Sequence, residues 1–115
     1  DISGLRVTVP TEDIGHAYYK YYVFVEPGKL KAGWDRDRIM HAINAEGVPC
    51  FTGACSEIYL EKAFDHFRNE ESPRLAIARQ LGETSLCFLV HPTLSIEDMV
   101  TTSTVVRKVM GYAAV

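Results

Sequence analysis

His16-Ala17-Tyr18-Tyr19-Lys20-Tyr21-Tyr22-Val23-Phe24-Val25 is the stretch on which the fold turns. Tyr, Val and Phe carry strong strand propensity, and from Ala17 to Val25 only Lys20 interrupts them. The two faces of the run are almost equally apolar. That pattern predicts a strand covered on both sides, or one whose second face meets another domain. Pro27-Gly28 ends it, and a polar loop with Lys29 and Lys31 leads on to Trp34. Upstream, residues 1–15 hold the β-branched Val7-Thr8-Val9, then Pro10 and polar residues. They read as an edge segment and loop ahead of a single domain over residues 16–115.

Downstream, Asp35 is a good helix N-cap, Asp37 favours the positive end of the dipole, and Ile39, Ala42 and Ile43 recur at helical spacing. Gly47 and Pro49 stop that helix. An extended piece over Val48–Thr52 adds a short strand, and Gly53-Ala54-Cys55 makes a tight corner. Ser56 then caps a helix with Leu60, Ala63, Phe64 and Phe67 on one apolar stripe, and Tyr59 also asks for burial. Ser72-Pro73 opens a further helix whose Leu75, Ala78 and Leu81 point inward until Gly82 ends it. The continuous apolar run from Leu86 to Val90 is too short for a helix and reads as a central strand. Ser95-Ile96-Glu97-Asp98 resembles a capping box. The last helix runs from Ile96 toward Tyr112 with Met99, Val100, Val106 and Val109 inward.

This order predicts an α/β (α+β) fold: a small, mainly antiparallel or mixed sheet covered by helices. Ferredoxin-like plaits share part of it, so fold alone does not decide function. A length of 115 residues fits one domain, too little for a two-domain enzyme with a site between domains. At 47% hydrophobic and 23% charged the chain is composed like a globular protein. The formal charge of −3, with Lys and Arg scattered among Asp and Glu, leaves no basic face for a nucleic acid. Cys50, Cys55 and Cys87 are an odd count in apolar or small-residue surroundings, which suits a reducing, cytoplasmic location better than a disulfide framework. No apolar run approaches the roughly 20 residues of a membrane span, and the first residues lack a basic stretch followed by an apolar one. A start at Asp1 without methionine predicts a processed product or an excised fragment, and the fold favours the fragment.

Taken together, His16, Tyr18, Tyr21 and Val23, then the helix from Asp35 to Val48, then Pro73–Leu81, then Phe88-Leu89-Val90-His91-Pro92 and Ser95–Asp98 resemble the C-terminal small domain of the DegT/DnrJ/EryC1/StrS family of sugar aminotransferases. The resemblance covers about residues 4–113. Leu89 stands where proline is common, and Phe51-Thr52-Gly53-Ala54-Cys55 replaces a stretch with a histidine and an aromatic, which implies a subgroup with its own sugar or nucleotide preference. The family shares the aspartate aminotransferase fold of fold-type-I pyridoxal-phosphate enzymes. It implies a homodimeric parent that moves an amino group from glutamate to a nucleotide-linked keto sugar in polysaccharide or amino-sugar synthesis. Pyridoxal phosphate is implied in the parent, held by a large N-terminal domain. None of Lys20, Lys29, Lys31, Lys62 and Lys108 is followed by the glycine pair of the Schiff-base lysine, so this chain alone is expected neither to bind the cofactor tightly nor to turn over.

The resemblance places His16, Tyr18, Lys20, Gly53 and Ser56 at or near the substrate, with no catalytic residue in this chain. An imidazole at a strand end can hydrogen-bond a sugar hydroxyl or phosphate oxygen, and the alternative is a structural histidine that fixes the loop. Tyr18, Tyr19, Tyr21 and Tyr22 split between core and interface. Lys20 meets a phosphate or carboxylate, or is simply a solvated edge lysine. The backbone amides of residues 53–56 can cradle an anion at a helix N-terminus, or form a plain turn and cap. Cys50, Cys55 and His66 are too few and too irregularly spaced for zinc. Two other readings stand beside the enzyme: a stand-alone metabolite-binding module with a ferredoxin-like plait, and a scaffold. A self-contained module has a complete sheet and a polar exterior, whereas a severed domain exposes an apolar face.

Overall fold

Two capped helices carry the core. In a computed structural model that describes residues 1–67 and 73–115, helix α1 spans Arg36–Ala45 and the Asp35 side chain accepts from the Arg38 N–H at 2.7 Å. Its end is fixed by Gly47 at φ +86° and by Asn44. The Asn44 amide donates to Met40 O and Cys50 O and accepts from Cys50 N–H, which ties the next strand to the helix. The last helix, Ile96–Ala113, opens with the expected capping box: Ser95 Oγ accepts from Asp98 N–H at 3.1 Å, and the Asp98 carboxylate accepts from Ser95 N–H at 2.8 Å. Between them α2 covers Ala76–Thr84, so the last helix is α3.

Four strands, β1 (Leu5–Val7), β2 (Lys20–Val25), β3 (Cys50–Thr52) and β4 (Ser85–Leu89), form one sheet in the order β1-β2-β4-β3, every neighbour antiparallel. A small antiparallel sheet covered by helices is the fold anticipated from the pattern. Leu5, Val23, Val25, Cys50, Leu86 and Phe88 face one side and pack on Ile39 and Ile43 of α1 and on Val105, Val106, Val109 and Met110 of α3. Each such side chain is worth about 1.5–3 kcal/mol of burial. The other side carries Tyr22, Phe24, Ser85 and Cys87, where the 53–56 corner and α2 lie. The expected final strand is therefore central, with the β-branched and aromatic strand β2 beside it.

Several expectations fail, each for a physical reason. The aromatic strand begins at Lys20, because Lys20 is the last β2 residue with a partner, Leu89. Among the described residues no strand pairs with residues 17–19, and Tyr18 takes φ +49°. Ser56 caps no α-helix over residues 60–67. Two 3-10 stretches, Ile58–Leu60 and Lys62–Phe67, replace it, with Ala63, Phe64 and Phe67 exposed. Pro73 lies ahead of α2 instead of in its first turn, and Ser72 is outside the described residues. α2 also runs through Gly82 to Thr84. A Cβ at Gly82 would stand 2.0 Å from Ser56 Oγ, so this glycine permits a close approach and does not stop the helix. Of its proposed inward residues Ala78 is half-buried, while Leu75 and Leu81 are exposed. In α3, Val106 and Val109 are buried, but Met99 and Val100 belong to a first half that projects beyond the core.

The chain exposes more surface than a closed domain of its size. Its 8254 Å² compares with about 6,300 Å² for a folded monomer of this mass, an excess near 1,900 Å². The radius of gyration is 16.2 Å against about 13 Å for a closed domain of this length. Among the described residues no helix is long and apolar enough to cross a membrane.

Candidate functional site

The proposed substrate residues fall at two ends of the sheet. Lys20 pairs with Leu89, whereas Thr52, next to Gly53, pairs with Leu86. Three residues of strand and two strand spacings separate the groups, about 14 Å. His16, Tyr18 and Lys20 lie at one end, Gly53 and Ser56 at the other, and no single small ligand group touches both.

At the first end the Tyr18 N–H donates to His16 Nδ1 at 2.9 Å, and the rings of His16, Tyr18 and Tyr21 stand in series with centroids 4.3 and 5.4 Å apart. This bond uses Nδ1 as an acceptor and leaves Nε2 as the donor a ligand oxygen can meet. It also fixes the loop before the strand. Lys20 is exposed, with Nζ 5.7 Å from the centre of the Tyr19 ring. Tyr18 and Tyr21 wall an apolar groove of about 720 Å³ between the sheet and the first half of α3. Sequence reasoning missed this groove. Its signal was present in Met99 and Val100, apolar residues on a helix whose core contacts lie further on.

The second end is a shallow depression of about 340 Å³ lined by residues 52–57, Arg36 and Arg79 among others. Close contacts fix the corner. A Cβ on Gly53 would lie 2.4 Å from Ser85 Oγ, and Ser56 rests on Gly82. Because a three-residue 3-10 turn follows in place of a helix, no macrodipole supports anion binding here. Arg36, which sequence reasoning also missed, holds the corner from beneath: Nη1 donates to Gly82 O and Ser85 O, both at 3.1 Å, and Nε donates to Asp37. A guanidinium in the first turn of a helix opposes the dipole, and that mismatch was the available hint.

Beyond the corner, Glu57 accepts from both the Nε and Nη2 of Arg74 and from the Tyr59 hydroxyl, which itself accepts from Leu75 N–H. The Arg74 fork, and Tyr59 after it, pull the Glu57 carboxyl down to about 2. The thiols are quiet. Burial, with Cys87 nearby, pushes Cys50 up to about 12, and the hydrogen bond to Glu61 raises Cys55. Neither is a thiolate nucleophile near neutral pH. Among the described residues no three His, Cys, Asp or Glu side chains meet in a metal-binding group. All five lysines are exposed, and Lys29, Lys31 and Lys108 are already bonded to Glu26, to the end of α3 and to Glu46. A Schiff-base lysine requires a desolvated amine in a pocket, so the residues of this chain do not fit pyridoxal phosphate.

Comparison with solved structures defines the class. An aminotransferase from Psychrobacter cryohalolentis is 46% identical, with a TM-score of 0.86, over 95% of this chain. The aminotransferase TlmJ from Streptoalloteichus hindustanus (24% identity, TM-score 0.76, 96% of this chain) and a DegT DnrJ EryC1 StrS aminotransferase from Brucella abortus (22%, 0.74, 94%) share the fold. The chain has the architecture of an aminotransferase domain. The likeness to the DegT DnrJ EryC1 StrS aminotransferase, at 22% identity, is one of fold. It spans 29%, 27% and 26% of the lengths of these three proteins. No protein-family model and no curated protein matches it.

Proposed function

We propose that the chain is the C-terminal small domain of a pyridoxal-phosphate-dependent aminotransferase that acts on a nucleotide-linked keto sugar in polysaccharide or amino-sugar biosynthesis. The observation that carries this reading is the 46% identity to an aminotransferase along nearly the whole chain. Pyridoxal phosphate, the electron sink for amino transfer from glutamate, would be held by a large domain elsewhere in the polypeptide. Residues 16–115 form the domain proper and 1–15 its edge segment. The domain closes the substrate site, with His16 Nε2–H and Lys20 positioned for sugar or phosphate oxygens, Tyr18 for a ring face, and the Gly53–Ser56 corner for a second part of the substrate. A cytoplasmic homodimer is the expected parent. The excess surface supports a severed domain over a self-contained regulatory module, which would present a polar exterior.

The test is amino transfer from glutamate to a nucleotide-linked keto sugar, measured with the 115-residue chain and with the longer polypeptide that contains it. The longer protein should show the absorbance of bound cofactor and turn over, and the short chain neither. Turnover by the short chain, or a longer protein that transfers nothing to any such sugar, would sink the reading.

A further inference from the structure

We infer that the groove between the sheet and the first half of α3 is the seat of an amphipathic helix from another part of the same polypeptide, packed alongside α3 as the third helix on that face. The inference rests on the reading of the chain as one domain of a longer aminotransferase.

One face of the sheet is covered at one end only. α1 and the second half of α3 lie over Val23, Val25 and Leu86, while Val7, Tyr21, Leu89 and Val90 border open space. Residues 96–104 of α3, about 13 Å of helix, bury none of their side chains in the chain as described. This half-helix, through Met99 and Ser103, walls an open apolar space of about 720 Å³ against the sheet, and a helix is the element that ordinarily packs in such a place. Only two or three turns of helix fit beside such a wall, which sets the occupant's pattern: apolar residues at i, i+3 or i+4, and i+7. The rim on the α3 side is Asp98, Thr101 and Thr102, so the flank that meets it is polar or basic.

The shape argues against a second copy. A concave apolar groove is not complementary to itself, so a two-fold dimer cannot close it groove to groove. Insertion of the exposed Ile77–Leu81 ridge of α2 from another copy would be heterologous and would propagate unless the rotation closed a ring. The Psychrobacter aminotransferase, in contrast, has about 70% of its length outside the part matched here. An apolar seat of this kind suits a permanent contact, and so does the excess of about 1,900 Å² of surface.

Thiol reactivity tests this. In a Cys55→Ser background, where the remaining cysteines are buried, Val7→Cys and Met99→Cys are placed in the groove and Ile77→Cys on α2 as a reference. Both groove positions are exposed in this chain, so the substitutions are compatible with folding. In the short chain the groove thiols should react with a maleimide at the rate of an exposed thiol, independent of protein concentration. In the longer polypeptide the rate should fall about tenfold or more, also independent of concentration. Protection of the short chain that grows with concentration would assign the groove to a second copy, and fast labelling in the longer protein would leave it empty. Either overturns the inference. Sugar amination by the same longer protein is assayed in parallel, so fast labelling in an active enzyme rejects the groove proposal alone, and protection in an inactive one rejects the substrate reading alone.

Discussion

The sheet face beneath α1 and the second half of α3 and the surface around α2 are built from similar residues, yet only the first is closed. Ile39, Ile43, Leu86 and Met110 are inaccessible or nearly so, whereas Leu75, Ile77, Phe67 and Ile58 are each more than half exposed. Both regions are amphipathic by pattern. A periodic apolar stripe states that a surface must be covered and is silent about which molecule covers it. The chain has the fold of aminotransferases of which it spans under a third, and the stripes around α2 are uncovered within it.

The largest effect that can break this comparison is a pair of truncations. Ile43→Ala should destabilise the 115-residue chain by about 2–5 kcal/mol in urea unfolding, because its side chain has no exposure and leaves a cavity. Ile77→Ala should change the same chain by no more than about 0.5 kcal/mol. A cost for Ile77→Ala near that of Ile43→Ala would mean that α2 is already packed, and the contrast between the two regions would collapse.

An intermediate effect comes from the seam between the regions. Gly82→Ala brings a Cβ to 2.0 Å from Ser56 Oγ and 3.0 Å from Ser56 Cβ, an overpacking that costs about 1–3 kcal/mol. Removal of the opposing side chain in Gly82→Ala/Ser56→Gly should recover most of it. If the single change instead stabilises the chain, as alanine in an exposed helix interior ordinarily does, then α2 is not held against the corner and Ser56 is free.

What could be read beforehand follows the range of the forces involved. Asp35, Gly47 and the Ser95–Asp98 box act within a turn of their own helix and were legible residue by residue. The run from Leu86 to Val90 was legible because five apolar residues in a row leave little choice but a buried strand. Gly82 was misread because a glycine that ends a helix and one that lets another backbone approach look alike in sequence. Ala17–Tyr19 have strand propensity but no partner strand, and propensity yields to pairing. The candidate site was less legible than the fold. Lys20 and Thr52, which flank the two groups of candidate residues, are shown about 14 Å apart only by the register, and Arg36 acts on carbonyls at Gly82 and Ser85, far along the chain.

The smallest expected effect sharpens the comparison, because it concerns what holds the open region in place. With few buried apolar contacts, residues 57–67 and 73–75 depend on Glu57, which receives the Arg74 fork and the Tyr59 hydroxyl. The Glu57 carboxyl lies at about 2 in the folded chain against an ordinary 4.5, so as pH falls the unfolded state takes up the proton first. The contribution of this carboxylate is therefore fully present above about pH 4.5 and is lost as pH drops toward 2. Arg74 is half exposed, so solvent screens the pair and the loss is modest. Amide protection at residues 59–67 and 75–79, relative to the intrinsic exchange rate at each pH, should fall across that window while the Ile39–Ile43 turn of α1 stays protected. In Glu57→Gln the same amides should already be less protected at pH 6, and their protection should change little on acidification. Simultaneous loss of protection in α1 and in the 59–67 segment would show one cooperative unit, and the division of the molecule into a closed and an open region would not hold.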